Sequence, residues 1–308
     1  MHCAMHRYFA SPRSSPKGHT ERYAACQHVV IYSKQMTSGR CANYHLGNTD
    51  EEHERLIRQA IRLAPLTERL FREAGIGPGQ RVLDLGSGTG DVAMLAARMV
   101  GSSGEVVAIE RDARTIDRAR VRAADAGLHN IDFVQSDIAE FTTESSFDAA
   151  VGRYILQFLP DPEAVLRKVA SLVSSDGALV FQEGSWAPFI ALSAHLPLWS
   201  TGVSLLHEAG TRAGLHMEMG PALHKAFQEA GLPEPRMRLE MELGHDPEFT
   251  RWLSDSIKSV LPEIQRLNLS YAALGDLDTL QDRLQNEVAA SNTVVPWLGL
   301  VAAWCRKP

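Results

Sequence analysis

The residues best suited to chemistry lie in one run, Val82-Leu83-Asp84-Leu85-Gly86-Ser87-Gly88-Thr89-Gly90-Asp91. Val82 to Leu85 read as a short buried strand, and a helix is predicted from about Asp91. Three glycines at spacing two make a turn that residues with a Cβ follow poorly. Such a turn points backbone N–H groups and a helix N-terminus at a polar or charged ligand. The dinucleotide fingerprint Gly-x-Gly-x-x-Gly would need glycine at 91, where this chain has Asp91. Glu110 ends a second apolar run 20 residues after Gly90, and a carboxylate there can accept both hydroxyls of a ribose. Ser136-Asp137-Ile138 follows a third run, and Arg153-Tyr154 closes a fourth.

These residues need elements to hold them. Thr49 and Asp50 can cap a helix from Glu51, with Leu56, Ile57, Ala60, Ile61 and Ala64 on one face. Pro65 suits the first turn of a second helix ending near Gly75. Strands and helices then alternate: helix 91–100, strand 105–110, helix 112–126, strand 131–135, strand 147–153, helix 161–172 and strand 178–183. Alternation at this period predicts a parallel sheet with helices on both faces. Ligands of such sheets bind at the carboxyl ends of the strands, where the glycine turn, Glu110, Asp137, Arg153 and Glu183 all fall. Residues 184–219 break the pattern with mixed aromatic, leucine and histidine positions. A helix over Pro221–Ala230, a sixth strand over Arg236–Leu243, a helical insertion over 247–290 and a last strand over Thr293–Trp304 follow.

With these motifs in this order, the chain resembles the class I S-adenosylmethionine-dependent methyltransferases, well over Tyr44–Glu183 and in outline beyond. The resemblance implies an α/β fold, Rossmann-like, with a seven-stranded, mostly parallel sheet whose last strand is antiparallel. It implies N-terminal helices over the cofactor pocket and a helical lid. It divides the chain into a disordered extension (1–40), a cofactor-binding core with cap helices (41–183), and a C-terminal part (184–308). That last part combines an acceptor lid (184–219 and 247–290) with the remaining strands. The cofactor is then S-adenosylmethionine. The matching positions are Asp84, Gly86, Ser87, Gly88 and Gly90 at the turn, Glu110 and Arg111 after the second strand, Asp137 and Ile138 after the third, and Arg153 after the fourth. Glu110 would hold the ribose, Asp137 the adenine amino group, and Ile138 the ring face. Asp84 is expected to order the glycine turn by accepting its N–H bonds. Asp137 as a helix cap and Arg153 as a salt-bridge partner stay open as alternatives.

Methyl transfer from a sulfonium is an in-line displacement, so placement of the acceptor and exclusion of water do most of the work. Candidate bases are Glu183, His195, His207 and Tyr154. The apolar content of the lid segments points to a small, largely apolar acceptor. O-methylation leads, with C-methylation second. A C-methyltransferase acting on an isoprenoid diphosphate, held by Arg153, Arg212 or histidines, is a further alternative. So is a cofactor-binding protein that works through partner contacts without turnover.

Composition narrows the partners. The 308 residues carry a net charge of −6, unevenly spread. Residues 1–40 hold six Lys/Arg and one acid, which leaves 25 basic and 36 acidic side chains, net −11, in the rest. An acidic body speaks against nucleic acid as a partner. No apolar run reaches the ~18 residues of a membrane span. Cys3, Cys26, Cys41 and Cys305 have no metal or redox spacing, and no metal site is expected. Free thiols suit a reducing, cytoplasmic setting. Residues 1–40 lack periodicity, and Met36 is an alternative start. The oligomeric state stays open, a homo-oligomer included.

Overall fold

A computed structural model of the chain describes residues 49–308. The expectations for residues 1–40 and for Cys3, Cys26 and Cys41 lie outside the described residues. In chain order the elements are α1 (Asp50–Glu73), β1 (Arg81–Leu85), α2 (Asp91–Val100), β2 (Glu105–Glu110), α3 (Ala113–Asp125), β3 (Ile131–Gln135) and β4 (Phe147–Arg153). A 3-10 turn at Leu156–Phe158 leads to α4 (Pro162–Leu172) and β5 (Val173–Ser185). Next come α5 (Ala187–Ser193), α6 (Pro197–Arg212), α7 (Met219–Glu229), β6 (Arg236–Glu240) and β7 (Leu243–Gly244). Then follow α8 (Pro247–Arg266), a 3-10 turn at Ala272–Leu274, α9 (Leu280–Ala290), β8 (Val295–Pro296) and β9 (Gly299–Arg306).

Seven strands form one sheet in the order β3-β2-β1-β4-β5-β9-β6. The pairs from β3 to β5 are parallel, and β9 runs antiparallel to both β5 and β6. The order reverses between β1 and β4, which makes their carboxyl ends the switch point of the sheet. The strands bury both faces. Val82, Val106, Val151 and Val180 pack with α1, α2 and α3, while Leu83, Ile109, Leu179 and Phe181 pack with α4 and α7. Such two-sided burial is why the strands read as apolar runs rather than as alternating patterns. A third cluster is built from α5, α6, α8, α9 and the segment before β9, with Leu63 of α1, over the segments expected to form a lid.

Local chemistry sets the helix starts. Asp112 accepts the Thr115 N–H at 2.8 Å, Asp161 accepts Ala164 at 2.8 Å ahead of Pro162, and Asp246 accepts Phe249 at 2.9 Å ahead of Pro247.

Three expectations need correction. The two N-terminal helices are one, because α1 runs through Pro65. Proline there removes one intrahelical bond, but Leu63, Thr67, Leu70 and Phe71 are buried along one side on either side of it. That burial outweighs a defect of about 3 kcal/mol. The predicted sixth strand breaks after Glu240. Glu240 pairs with Leu300, close to where β9 begins, and β7 turns aside to pair with β8 in a separate two-stranded ladder. The fifth strand is longer than predicted, ending at Ser185 rather than at 183. Among the described residues no helix is long and apolar enough to cross a membrane.

Replacing Pro65 by alanine restores the missing donor without touching the buried side of α1. We expect Pro65→Ala to raise thermal stability by roughly 2–4 °C per kcal/mol regained. A melting temperature equal to or below that of the parent would show that the helix is bent around Pro65 by design.

Candidate active site

The glycine turn leaves β1 with Gly86, Gly88 and Gly90 at φ +64°, +51° and +86°. Gly86 is fixed by a neighbour as well as by its dihedral. A Cβ there would lie 2.4 Å from Ile155 Cδ1, in the turn after β4. A Cβ on Gly88 would meet no atom within 4 Å, so that face of the turn is open. Ser87 N–H donates to Ile109 O at 2.9 Å, tying the turn to β2. Glu110 completes the tie. Its Oε2 accepts the Gly88 N–H at 3.1 Å, and its Oε1 accepts Arg111 N–H at 2.7 Å and Asp112 N–H at 3.1 Å.

The acid expected to order the turn is thus displaced in role. Glu110, rather than Asp84, takes the Gly88 amide, and Asp84 receives the Ala93 N–H in the first turn of α2. Asp84 is buried, and its Oδ2 has no hydrogen-bond partner. Burial pushes its pKa up to about 8, against the pull of the nearby Arg153 guanidinium and the Ala93 amide. Ser87 Oγ is a second buried atom without a partner at this turn. Arg153 is half-buried and donates from Nη1 to Thr67 Oγ1 at 3.0 Å, while Thr67 donates to Gln182 Oε1 at 2.7 Å. Burial lowers the Arg153 pKa, and Asp91, Tyr154 and Asp84 counter it. Asp91 itself pairs with Arg122 at 2.7 Å and accepts Thr89 Oγ1 at 2.8 Å.

After β3, Asp137 Oδ1 accepts the Ala139 N–H at 2.8 Å, and its Oδ2 lies 3.7 Å from Arg111 Nη1. No helix starts at Asp137: the bond to Ala139, two residues on, closes a turn. Ile138 is buried against the α4–α7 side of the sheet.

Of the four candidate bases, Tyr154 and Glu183 lie near each other, His207 packs on Trp186, and His195 stands apart. Strand alternation places Glu183 with Phe181 and its partner Val301 on the α4–α7 face, away from the lid. Its Oε1 accepts the amides of Ile155 at 2.9 Å and Leu156 at 2.7 Å, so it caps the turn after β4. It does not face the cluster of α5, α6, α8 and α9, the side expected for a catalytic base. Burial pushes its pKa up to about 8, against the Leu156, Ile155 and Gln157 amides. Tyr154 sits at φ +54°, with its hydroxyl buried and unpartnered. Burial raises its pKa well above the usual phenol range, so it is a poor base. His195 is exposed after α5, its Nε2 3.4 Å from Thr293 Oγ1. His207 is half-buried on α6, its ring centroid 5.8 Å from that of Trp186. Arg212 is paired with Glu208 at 2.6 Å. Among the described residues no cluster of three metal-ligating side chains occurs.

Sequence reasoning missed Thr67, Gln182 and Ile155, which contact the candidate site residues Arg153, Gly86 and Glu183. Trp186 it placed only among the aromatic positions of segment 184–219. Nothing local marks Thr67 or Ile155, whose roles depend on long-range packing.

A family model described as Methyltransferase domain matches residues 76–231, half of the chain. The chain belongs to this methyltransferase family. It is 35% identical over 150 residues to aklanonic acid methyltransferase DauC of a Streptomyces species, covering 43% of this chain and 67% of that protein. It is 27% identical over 219 residues to ubiquinone/menaquinone biosynthesis C-methyltransferase UbiE of Edwardsiella ictaluri, covering 70% of this chain and 74% of that protein. The YcgJ protein of Bacillus subtilis shares the fold, with a TM-score of 0.51 at 15% identity over 78% of this chain and 97% of that one.

The methyltransferase is S-adenosylmethionine-dependent, and the residues present fit that cofactor. Glu110 keeps acceptor capacity beyond its three amide bonds, Asp84 Oδ2 and Ser87 Oγ are orphaned buried atoms, and the Gly88 face is open.

Two outcomes follow from this packing. Gly86→Ala combines a left-handed φ with a clash against Ile155, and should destabilise the chain by about 1–3 kcal/mol. Thermal melting with and without a compensating Ile155→Ala change checks it: the second change should recover part of the loss. For Glu183, the native state holds a proton that the unfolded chain releases between its ordinary value of 4.5 and about 8. Its contribution to stability therefore falls as pH rises through that window and levels off above it. Glu183→Gln keeps the amide acceptor and removes the titration. Its melting temperature should rise relative to the parent from pH 5 to about pH 8; a constant difference would show that Glu183 is already charged.

Proposed function

We propose that this methyltransferase acts on a small, largely apolar acceptor and transfers the methyl group to a hydroxyl oxygen. The observation that carries the reading is the character of what covers the ends of β4 and β5. Trp186, Phe189, Trp252, Trp297 and Phe249 form a chain of ring contacts with centroids 5.2–5.8 Å apart. A cover of this kind favours an apolar ligand held by a few polar groups. Nucleic acid, by contrast, needs a basic face, and the body of this chain is acidic.

In this reading Glu110 holds the two ribose hydroxyls, while Asp84, Ser87 and Arg153 serve the amino-acid end of the cofactor. Arg111 and Asp137 border the adenine, with Ile138 against its face. Gly86, Gly88 and Gly90 let the turn approach closely. Bound cofactor supplies an electrophilic methyl group whose sulfur departs as a neutral thioether. The chain orients the acceptor, excludes water through the lid segments 184–219 and 247–290, and removes the acceptor's proton. His207, packed against Trp186, is the candidate base whose position suits that last role. Glu183 and Tyr154 are reassigned to holding the turn and to donating.

A second reading, methylation at carbon, is favoured by the likeness to a protein described as a C-methyltransferase. Isotope-labelled S-adenosylmethionine with a panel of small phenols and ketones separates the two, since product NMR distinguishes O-methyl from C-methyl. His207→Gln should lower kcat roughly 100-fold on a hydroxyl acceptor, with cofactor affinity unchanged. Labelling confined to protein or RNA would contradict the small-molecule reading.

A further inference from the structure

Three unusual features meet where β4 and β5 end. Tyr154 has a left-handed φ of +54°, which a bulky aromatic residue rarely adopts. Its hydroxyl is buried without a hydrogen-bond partner. The indole Nε1 of Trp186 is also buried without one. Buried donors are almost always satisfied, and strained backbone collects at functional sites.

Gly184 lies beside both an edge of the Tyr154 ring and the Trp186 indole nitrogen. A Cβ built on Gly184 would lie 3.6 Å from Tyr154 Cε1 and 3.8 Å from Trp186 Nε1, with Leu298 Cδ2 at 3.3 Å. Alternation along β5 sets Gly184 on the same side as Gln182, whose side chain meets Thr67 of α1. Leu300, paired with Gly184, belongs to the lid cluster. The pair therefore faces the lid rather than α7. An indole N–H can only donate. Burial keeps the Tyr154 phenol protonated. Glu183, on the opposite face, holds the adjacent amides and so keeps Tyr154 in its strained conformation.

We propose that Tyr154 Oη–H and Trp186 Nε1–H form a donor pair that binds one oxygen of the acceptor, which is therefore a small apolar molecule bearing a carbonyl or phenolate oxygen. The inference rests on the reading of a small apolar acceptor given above and names its polar handle. Both residues set specificity and position; neither exchanges a proton. An analogue without the oxygen leaves two buried donors unpaired, the strongest form of discrimination available to an apolar site. Two donors on one oxygen also favour the anionic form of a phenolate.

The test is calorimetric titration of the full chain, saturated with S-adenosylhomocysteine, with 1-tetralone and with tetralin, its oxygen-free counterpart. The parent should bind 1-tetralone at least ~10-fold more tightly than tetralin. Tyr154→Phe and Trp186→Phe should each remove most of that preference, with S-adenosylhomocysteine affinity held within about two-fold. Tyr154→Phe, which keeps the ring and deletes an unpaired hydroxyl, should also melt at a higher temperature than the parent. A preference that survives both substitutions overturns the proposal. So does a parent that binds the two probes equally or binds neither. Failure of the parent to bind S-adenosylhomocysteine, measured before either probe is added, would instead fail the underlying cofactor reading.

Discussion

The approach of Ile155 to Gly86 is the constraint on which the site depends. These residues belong to the turns after β4 and β1, the two strands that flank the switch point of the sheet. No side chain at 86 fits between them, since a Cβ would fall 2.4 Å from Ile155 Cδ1. Glu183 then fixes Ile155 by accepting its amide and that of Leu156 from β5. Glu110 fixes the other side by accepting the Gly88 amide from β2. Two carboxylates from different strands thus hold two loops in one geometry. The turns after β1 and β4 are set by the same contact.

What closes over this frame is held by unequal forces. The first turns of α1 meet α3 through two exposed pairs, Arg114–Asp50 and Arg118–Glu54, and through one buried contact, His53 Nε2 to Thr115 Oγ1 at 3.3 Å. Such exposed pairs are worth at most about 1 kcal/mol each and weaken with salt. The contact of α1 with the lid is drier. Trp252 Nε1 donates to Gln59 Oε1 at 3.2 Å, and the Arg62 guanidinium lies 4.6 Å from the Phe249 ring centroid and 5.1 Å from that of Trp297. Burial of three aromatic rings outweighs the surface ion pairs.

The strands β1, β2 and β4 were legible because each is short, apolar and bounded by a turn, and because helices separate β1 from β2 and β2 from β3. The glycine turn and Glu110 were legible because their spacing states a backbone requirement. Features that depend on partners far along the chain were not. Pro65 reads locally as a helix start, yet α1 continues through it because its buried side packs on the sheet and the lid. Glu183 reads as a cleft residue if β5 stops at 183. The strand runs to Ser185, and strict alternation then turns the carboxylate to the other face. Past the strand end, Tyr154 and Trp186 both come within 4 Å of where a Cβ on Gly184 would lie. Histidine carries no such positional mark, so His195 and His207 could be separated only by the structure, which leaves one exposed and packs the other against Trp186.

The central claim is that the glycine turn, clamped by Glu110, is where the cofactor binds. Titrating S-adenosylhomocysteine into the parent chain and into Glu110→Ala by calorimetry tests it most directly. The account predicts saturable 1:1 binding to the parent and a loss of at least ~10-fold in affinity in the variant, since a charged acceptor of two hydroxyls is removed. Equal affinity in the two proteins would contradict it, and would place the ribose away from the end of β2.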